Sequence, residues 1–150
     1  VKLIFLDQLG CYASVVAAAY YAGILQGKVT YQEILTLPYF GAQGSNQPGE
    51  LYEFGEDGKG RKLYTLSVGN YGPFINGVLW PEMLKLLQTK EQIVLYDLSF
   101  INPFLLNLLG TILRRRLRGI LKLVWAYYLA KKMPLLVKVY LQEMWTPRKN

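Results

Sequence analysis

"FLDQLGCYASVVAAAYYAG", Phe5 to Gly23, is the stretch on which the fold turns. It begins in an apolar run, crosses a short loop containing Gly10, and continues into an alanine-rich segment that ends at glycine. Lys2 to Leu6, bounded by Asp7, reads as a strand apolar on both faces, the kind found in the middle of a parallel sheet. Ser14 is placed to cap the helix Val15 to Ile24, and Gly23 and Gly27 stand where that helix must end. Free amides at a helix start attract anions whatever the side chains are. The layout therefore makes Gly10, Cys11, Tyr12, Ala13 and Ser14 an expected anion-binding loop, phosphate-loop-like in its strand-loop-helix order.

Working outward, a short helix is expected over Tyr31 to Thr36, because Thr30 and Glu33 stand at capping-box spacing. Pro38 limits it. The segment "GAQGSNQPG", Gly41 to Gly49, holds no large apolar residue and reads as a mobile loop over about 41–50. Two β-prone runs around Asp57-Gly58 then predict a β-hairpin over about 51–68. Helical spacing returns over Tyr71 to Gln88, with Pro81 inside it. "QIVLYDLSF", Gln92 to Phe100, reads as a second buried strand with Asp97 near its C-terminal end. Asn102-Pro103 opens a helix running to about Arg118. "ILKLVWAYYLA", Ile120 to Ala130, is aromatic and β-branched enough to read as a third buried strand, with a helix as the alternative. Pro134 would then start the last helix. Strands alternating with helices predict one α/β domain over residues 1–150, three-layered, with a mostly parallel central sheet plus the hairpin.

A chain of 150 residues suits a single domain that buries a core without disulfides. Cys11 is the lone cysteine, which excludes an intrachain bridge and points to a reducing, cytoplasmic setting. Val1 to Leu6 leads directly into a strand pattern and is not read as a signal peptide. The uncharged run Leu98 to Leu113 is interrupted by Asn102, Pro103, Asn107 and Gly110 and falls short of the roughly 20 apolar residues of a membrane span. The net charge of +7 is concentrated in the second half, where Arg114, Arg115, Arg116 and Arg118 form a basic patch. Those arginines suit the dipole at a helix C-terminus, or an anionic membrane or RNA backbone. No aromatic residues interleave with them, which disfavours single-stranded nucleic acid. Twelve tyrosines and three tryptophans exceed the needs of a core this size and suggest a protein interface.

The chain contains no histidine, so imidazole-based triads, histidine-containing zinc sites and histidine proton shuttles are excluded. The nucleotide-hydrolase loop needs a second glycine and a lysine after Gly10, and neither is there. Cysteine-phosphatase chemistry would need an arginine six positions after Cys11, where Ala17 stands. No cofactor is predicted. Asp7 and Asp97, each ending a strand, are the candidate ligands should Mg²⁺ be held against a phosphate, with Ser14 beside them.

"LDQLGCYASVVAAAYYAGIL" and "YQEILTLPYF" resemble a small family of about 150 residues from spore-forming, low-GC Gram-positive bacteria, known only as a domain of unknown function. The resemblance extends through "FGEDGKGRKLYTLSVG", "IVLYDLS" and the proline-led C-terminal segment, nearly the whole chain. It implies a histidine at the end of the first strand and a Gly-Gly-x-His-Ser-Ser loop in typical members. Here Leu6 stands at the strand position, and Leu9-Gly10-Cys11-Tyr12-Ala13-Ser14 stand for the loop, keeping Gly10 and Ser14 but neither histidine. The resulting expectation is a non-catalytic binding or partner subunit, acting as a homodimer or with an intact paralogue, and taking at most a phosphate-containing small molecule. The alternatives are a Mg²⁺-dependent phosphate- or nucleotide-processing enzyme and a peripheral binder of anionic membrane or RNA.

Overall fold

The computed structural model describes residues 1–41, 49, 51–69, 77, 80, 92–101 and 118–138. Among them are four strands, β1 (Lys2–Asp7), β2 (Leu51–Glu56), β3 (Lys62–Ser67) and β4 (Ile93–Asp97), and three α-helices, α1 (Ala13–Tyr21), α2 (Tyr31–Leu35) and α3 (Arg118–Leu136). The sheet runs β2-β3-β1-β4. β1 lies between β3 and β4 and is parallel to both, whereas β2 pairs antiparallel with β3 at the edge. The result is an α/β fold with a mixed, mostly parallel sheet.

The apolar run of β1 is explained by its central place. Leu3 and Phe5 enter the larger core with residues of α1 and α3, while Ile4 and Leu6 join Val68, Tyr64, Leu95 and Trp80 on the other face. A strand covered on both faces has no polar alternation to show. The predicted helix over Tyr71 to Gln88 lies outside the described residues except for Gly77 and Trp80, as do most of the mobile-loop prediction at 41–50 and the helix from Asn102 up to residue 117.

Helix α1 is buried without a break from Ala13 to Ala19. Its small residues let the backbone approach β1, β3 and α3 closely, which is why alanine dominates a segment with no solvent face at its start. Gly23 at φ +75° turns the chain after α1, where a residue with a Cβ would be strained. α2 carries the capping box expected of it: the Glu33 N–H donates to Thr30 Oγ1 at 3.3 Å and the Thr30 N–H to Glu33 Oε2 at 2.7 Å. Between β2 and β3, Asp57 holds the connection, its carboxylate accepting the Lys59 and Arg61 N–H groups, each at 2.9 Å, and pairing with the Arg61 guanidinium at 2.6 Å.

Three local expectations are corrected. Ile120 to Ala130 is helix, not strand, being the middle of α3. Trp125, Ala126, Leu129 and Met133 are buried at helical spacing, but Ile120, Leu123, Val124 and Tyr127 make the opposite side apolar too, which hides the 3.6-residue period. Pro134 does not open a new helix; it sits inside α3, and a π-helical turn follows at 137–138. Ser14 is not the cap of α1. That position belongs to Tyr12, whose side chain makes no capping bond.

Candidate functional site

The C-terminal ends of β1 and β4 lie side by side, with Leu6 opposite Asp97. In parallel sheets this edge is where ligands collect. The loop after β1 is fixed there from several directions. The Val68 N–H donates to Asp7 O and the Gly69 N–H to Gln8 O, both at 3.0 Å, and the Ser67 hydroxyl donates to Gln8 O at 3.1 Å. From the other side, the Gly41 N–H donates to Cys11 O at 2.9 Å. Gly10 has φ +71°, and a Cβ there would stand 2.7 Å from Ser67 N and Cβ. Only glycine fits that approach.

The loop amides are occupied by the chain itself. Asp7 is buried, and its two oxygens accept different N–H groups: Oδ1 from Gly10, and Oδ2 from Ser14 at 2.8 Å. Burial pushes the carboxyl above its ordinary pKa, and donation by the Ser14, Gly10 and Tyr12 amides, with the Ser14 hydroxyl close by, pulls it back. Acceptance on both oxygens is the pattern of an ionised carboxylate. Asp7 thus supplies, from seven residues upstream of Ser14, the capping that the Tyr12 side chain does not give.

The side chains of the expected anion-binding loop are packed inward. Cys11, the lone cysteine, is buried. Tyr12 stacks on Trp125 of α3 at 4.9 Å between ring centroids and 9° between planes, with Phe40 edge-on to it at 5.4 Å. Ala13 and Ser14 lie in the core, and the Ser14 hydroxyl has no hydrogen-bond partner among the described residues. Beside the loop is an open depression of about 220 Å³, counting space open to solvent, whose lining includes Asp7, Gln8, Tyr12, Leu98 and Trp125.

Asp97 is used differently. Its Oδ1 accepts the Ser99 N–H at 3.0 Å and the Ser99 hydroxyl at 2.5 Å, starting the 3-10 turn Ser99–Ile101. The sheet therefore brings Asp7 and Asp97 to one edge, each engaged by donors of its own chain. Among the described residues, no group of three or more His, Cys, Asp or Glu side chains is placed to hold a metal ion. Arg118 opens α3, while Arg114, Arg115 and Arg116 lie outside the described residues. No helix among the described residues is long and apolar enough to cross a membrane. Sequence reasoning missed the part played by Asp7 in the loop and that of Trp125 beneath Tyr12. An aspartate three residues before a glycine and seven before a small helical residue was the available signal for the first, and nothing local announces the second.

Fold and loop together define an α/β domain in which a strand-end carboxylate ties the following turn to its helix. The chain belongs to the family described as protein of unknown function (DUF3189), whose model matches residues 2–141. No curated protein and no solved structure matched the chain.

Proposed function

We propose that this chain is a non-catalytic binding or partner subunit built on a degenerate phosphate-loop-like module. The observation that carries the reading is the Asp7 carboxylate on the Gly10 and Ser14 amides. These are the groups that an external phosphate would use at a helix start, and an internal anion competes for them at very high effective concentration. Tyr12 adds to the argument. It stands where the resemblance implies a loop histidine, and its ring is stacked into the core. The chain has no histidine elsewhere to replace it. The retained scaffold then serves association, with an intact paralogue or a second copy of the chain as partner. Tyr39 and Phe100, exposed by 50% and 56%, are aromatic residues that suit such a surface.

Co-expression with a family member that carries the loop histidines, followed by size-exclusion chromatography, tests the proposal. A co-eluting complex or a homodimer is expected. A chain that stays monomeric in both cases contradicts it. A second reading, a Mg²⁺-dependent phosphate or nucleotide enzyme using Asp7, Ser14 and Asp97, draws on the adjacency of the two strand-end aspartates. It requires Mg²⁺ and nucleotide to raise the melting temperature of the wild type and Asp97→Asn to abolish the rise. No rise is expected under the first reading.

A further inference from the structure

Helix α3 is apolar on two opposite sides. Trp125, Ala126, Leu129 and Met133 face the core, where α3 packs on α2 and α1. Ile120, Leu123, Val124 and Tyr127 recur at three- and four-residue spacing on the other side and are 39–53% exposed. The Tyr127 ring lies 6.3 Å from that of Tyr31, which extends this face onto the start of α2. A helix at the surface of a globular protein normally carries polar residues outward. A contiguous apolar row there marks a surface that something else covers.

Charge indicates what covers it. From residue 98 to residue 142 the chain has eight Lys/Arg and no Asp or Glu. On α3 and its last turn, Lys131, Lys132 and Lys138 are exposed, and the Lys131 ammonium sits 4.5 Å over the Tyr127 ring. On α2 the one acidic side chain, Glu33, is engaged by Thr30. A second copy apposed through this face would bring two wholly basic helices together with no acid on either to offset them. We propose that the outward face of α3 docks on an anionic lipid surface, with the Ile120-Leu123-Val124-Tyr127 row entering the interfacial layer and the lysines on the headgroups. An apolar row with tyrosine at its edge and lysines alongside is the composition of helices that lie in the membrane interface. The outer side of a helix lying along a domain suits such a plane without needing a groove in the partner.

Co-sedimentation of the full chain with vesicles of phosphatidylglycerol and phosphatidylcholine, and with phosphatidylcholine alone, tests this. Binding to the anionic vesicles at low salt is expected, with loss in molar salt. At about fivefold per lysine, from the ~1 kcal/mol each contributes near an anionic surface, Lys131→Gln with Lys132→Gln weakens partitioning about 25-fold. Leu123→Gln with Tyr127→Gln, which leaves the buried side of α3 intact and loses the Tyr127 contacts with Tyr31 and Lys131, removes most binding at the same net charge while the chain stays folded. The proposal is overturned by failure to sediment with anionic vesicles at low salt, by equal partitioning onto phosphatidylcholine alone, or by wild-type binding of the Leu123/Tyr127 variant. It is equally overturned if the wild type is a dimer that this variant dissociates. Because the readout is lipid binding, it is independent of whether the Asp7 loop accepts phosphate.

Discussion

Replacing Asp7 by alanine removes the acceptor of two buried amides and a buried charge at once. The Gly10 and Ser14 N–H groups lose their partner, and each unsatisfied buried donor costs about 1–3 kcal/mol. Part of this is returned because the carboxylate, whose pKa burial raises, no longer has to be desolvated. A net loss of about 3 kcal/mol is expected, which at this chain length lowers the melting temperature by about 6–12 °C. Asp7→Asn keeps one acceptor oxygen but turns an NH₂ toward the other amide, so it falls between wild type and Asp7→Ala. Formate supplies the deleted carboxylate. At ten times its dissociation constant it should return about 1.4 kcal/mol to Asp7→Ala and nothing to the wild type, whose amides are taken. Thermal unfolding with and without formate reads all three proteins. An Asp7→Ala variant as stable as wild type, or a wild type stabilised by formate as strongly as the variant, would refute the reasoning.

Gly10→Ala forces a Cβ into the left-handed region and onto Ser67; about 3 kcal/mol is expected from strain and overlap together, read by urea unfolding. Ser14→Ala removes a buried hydroxyl that has no hydrogen-bond partner among the described residues, so stability should be unchanged or rise by up to about 1 kcal/mol, and a loss of about 1 kcal/mol or more would contradict this. Asp7 and Asp57 should give opposite pH dependences. For Asp57, burial raises the pKa, but hydrogen bonds from Arg61 and Lys59 and the Arg61 charge outweigh it and leave it lowered. Its contribution is therefore present above the unfolded value of about 3.9 and lost as pH falls through the lower folded one. For Asp7, raised on folding, ionisation is harder in the folded state, so the protonation-linked part of its contribution is full below the unfolded value and lost as pH rises through the folded one, while the amide hydrogen bonds it accepts remain. Urea unfolding from acid to neutral pH, comparing wild type with Asp57→Asn and Asp7→Asn, separates the two signs.

Legibility in the sequence followed how local each cause was. The capping box at Thr30 and Glu33 and the apolar run of β1 depend on neighbours in the chain, and both were read. Strand 120–130 was misread because α3 is apolar outside as well as inside, so the pattern that distinguishes helix from strand was missing. That same outward row is what the lipid-docking proposal rests on. The cap of α1 was misassigned for a different reason. Ser14 was the plausible local candidate, but the acceptor came from the end of β1, across a turn whose shape depends on Gly10 meeting Ser67. The packing of Tyr12 on Trp125 links positions more than a hundred residues apart, and no local rule reaches that far. The strand-loop-helix frame was therefore visible, while the identity of the anion within it was not.

The central claim is that the loop amides after β1 are held by the chain's own carboxylate. Amide chemical shifts of Gly10 and Ser14, followed by NMR while the wild-type protein is titrated with inorganic phosphate, test it most directly. The account predicts that both resonances stay in place while those of Asp7→Ala move and saturate. Saturable movement of Gly10 and Ser14 in the wild type would contradict it.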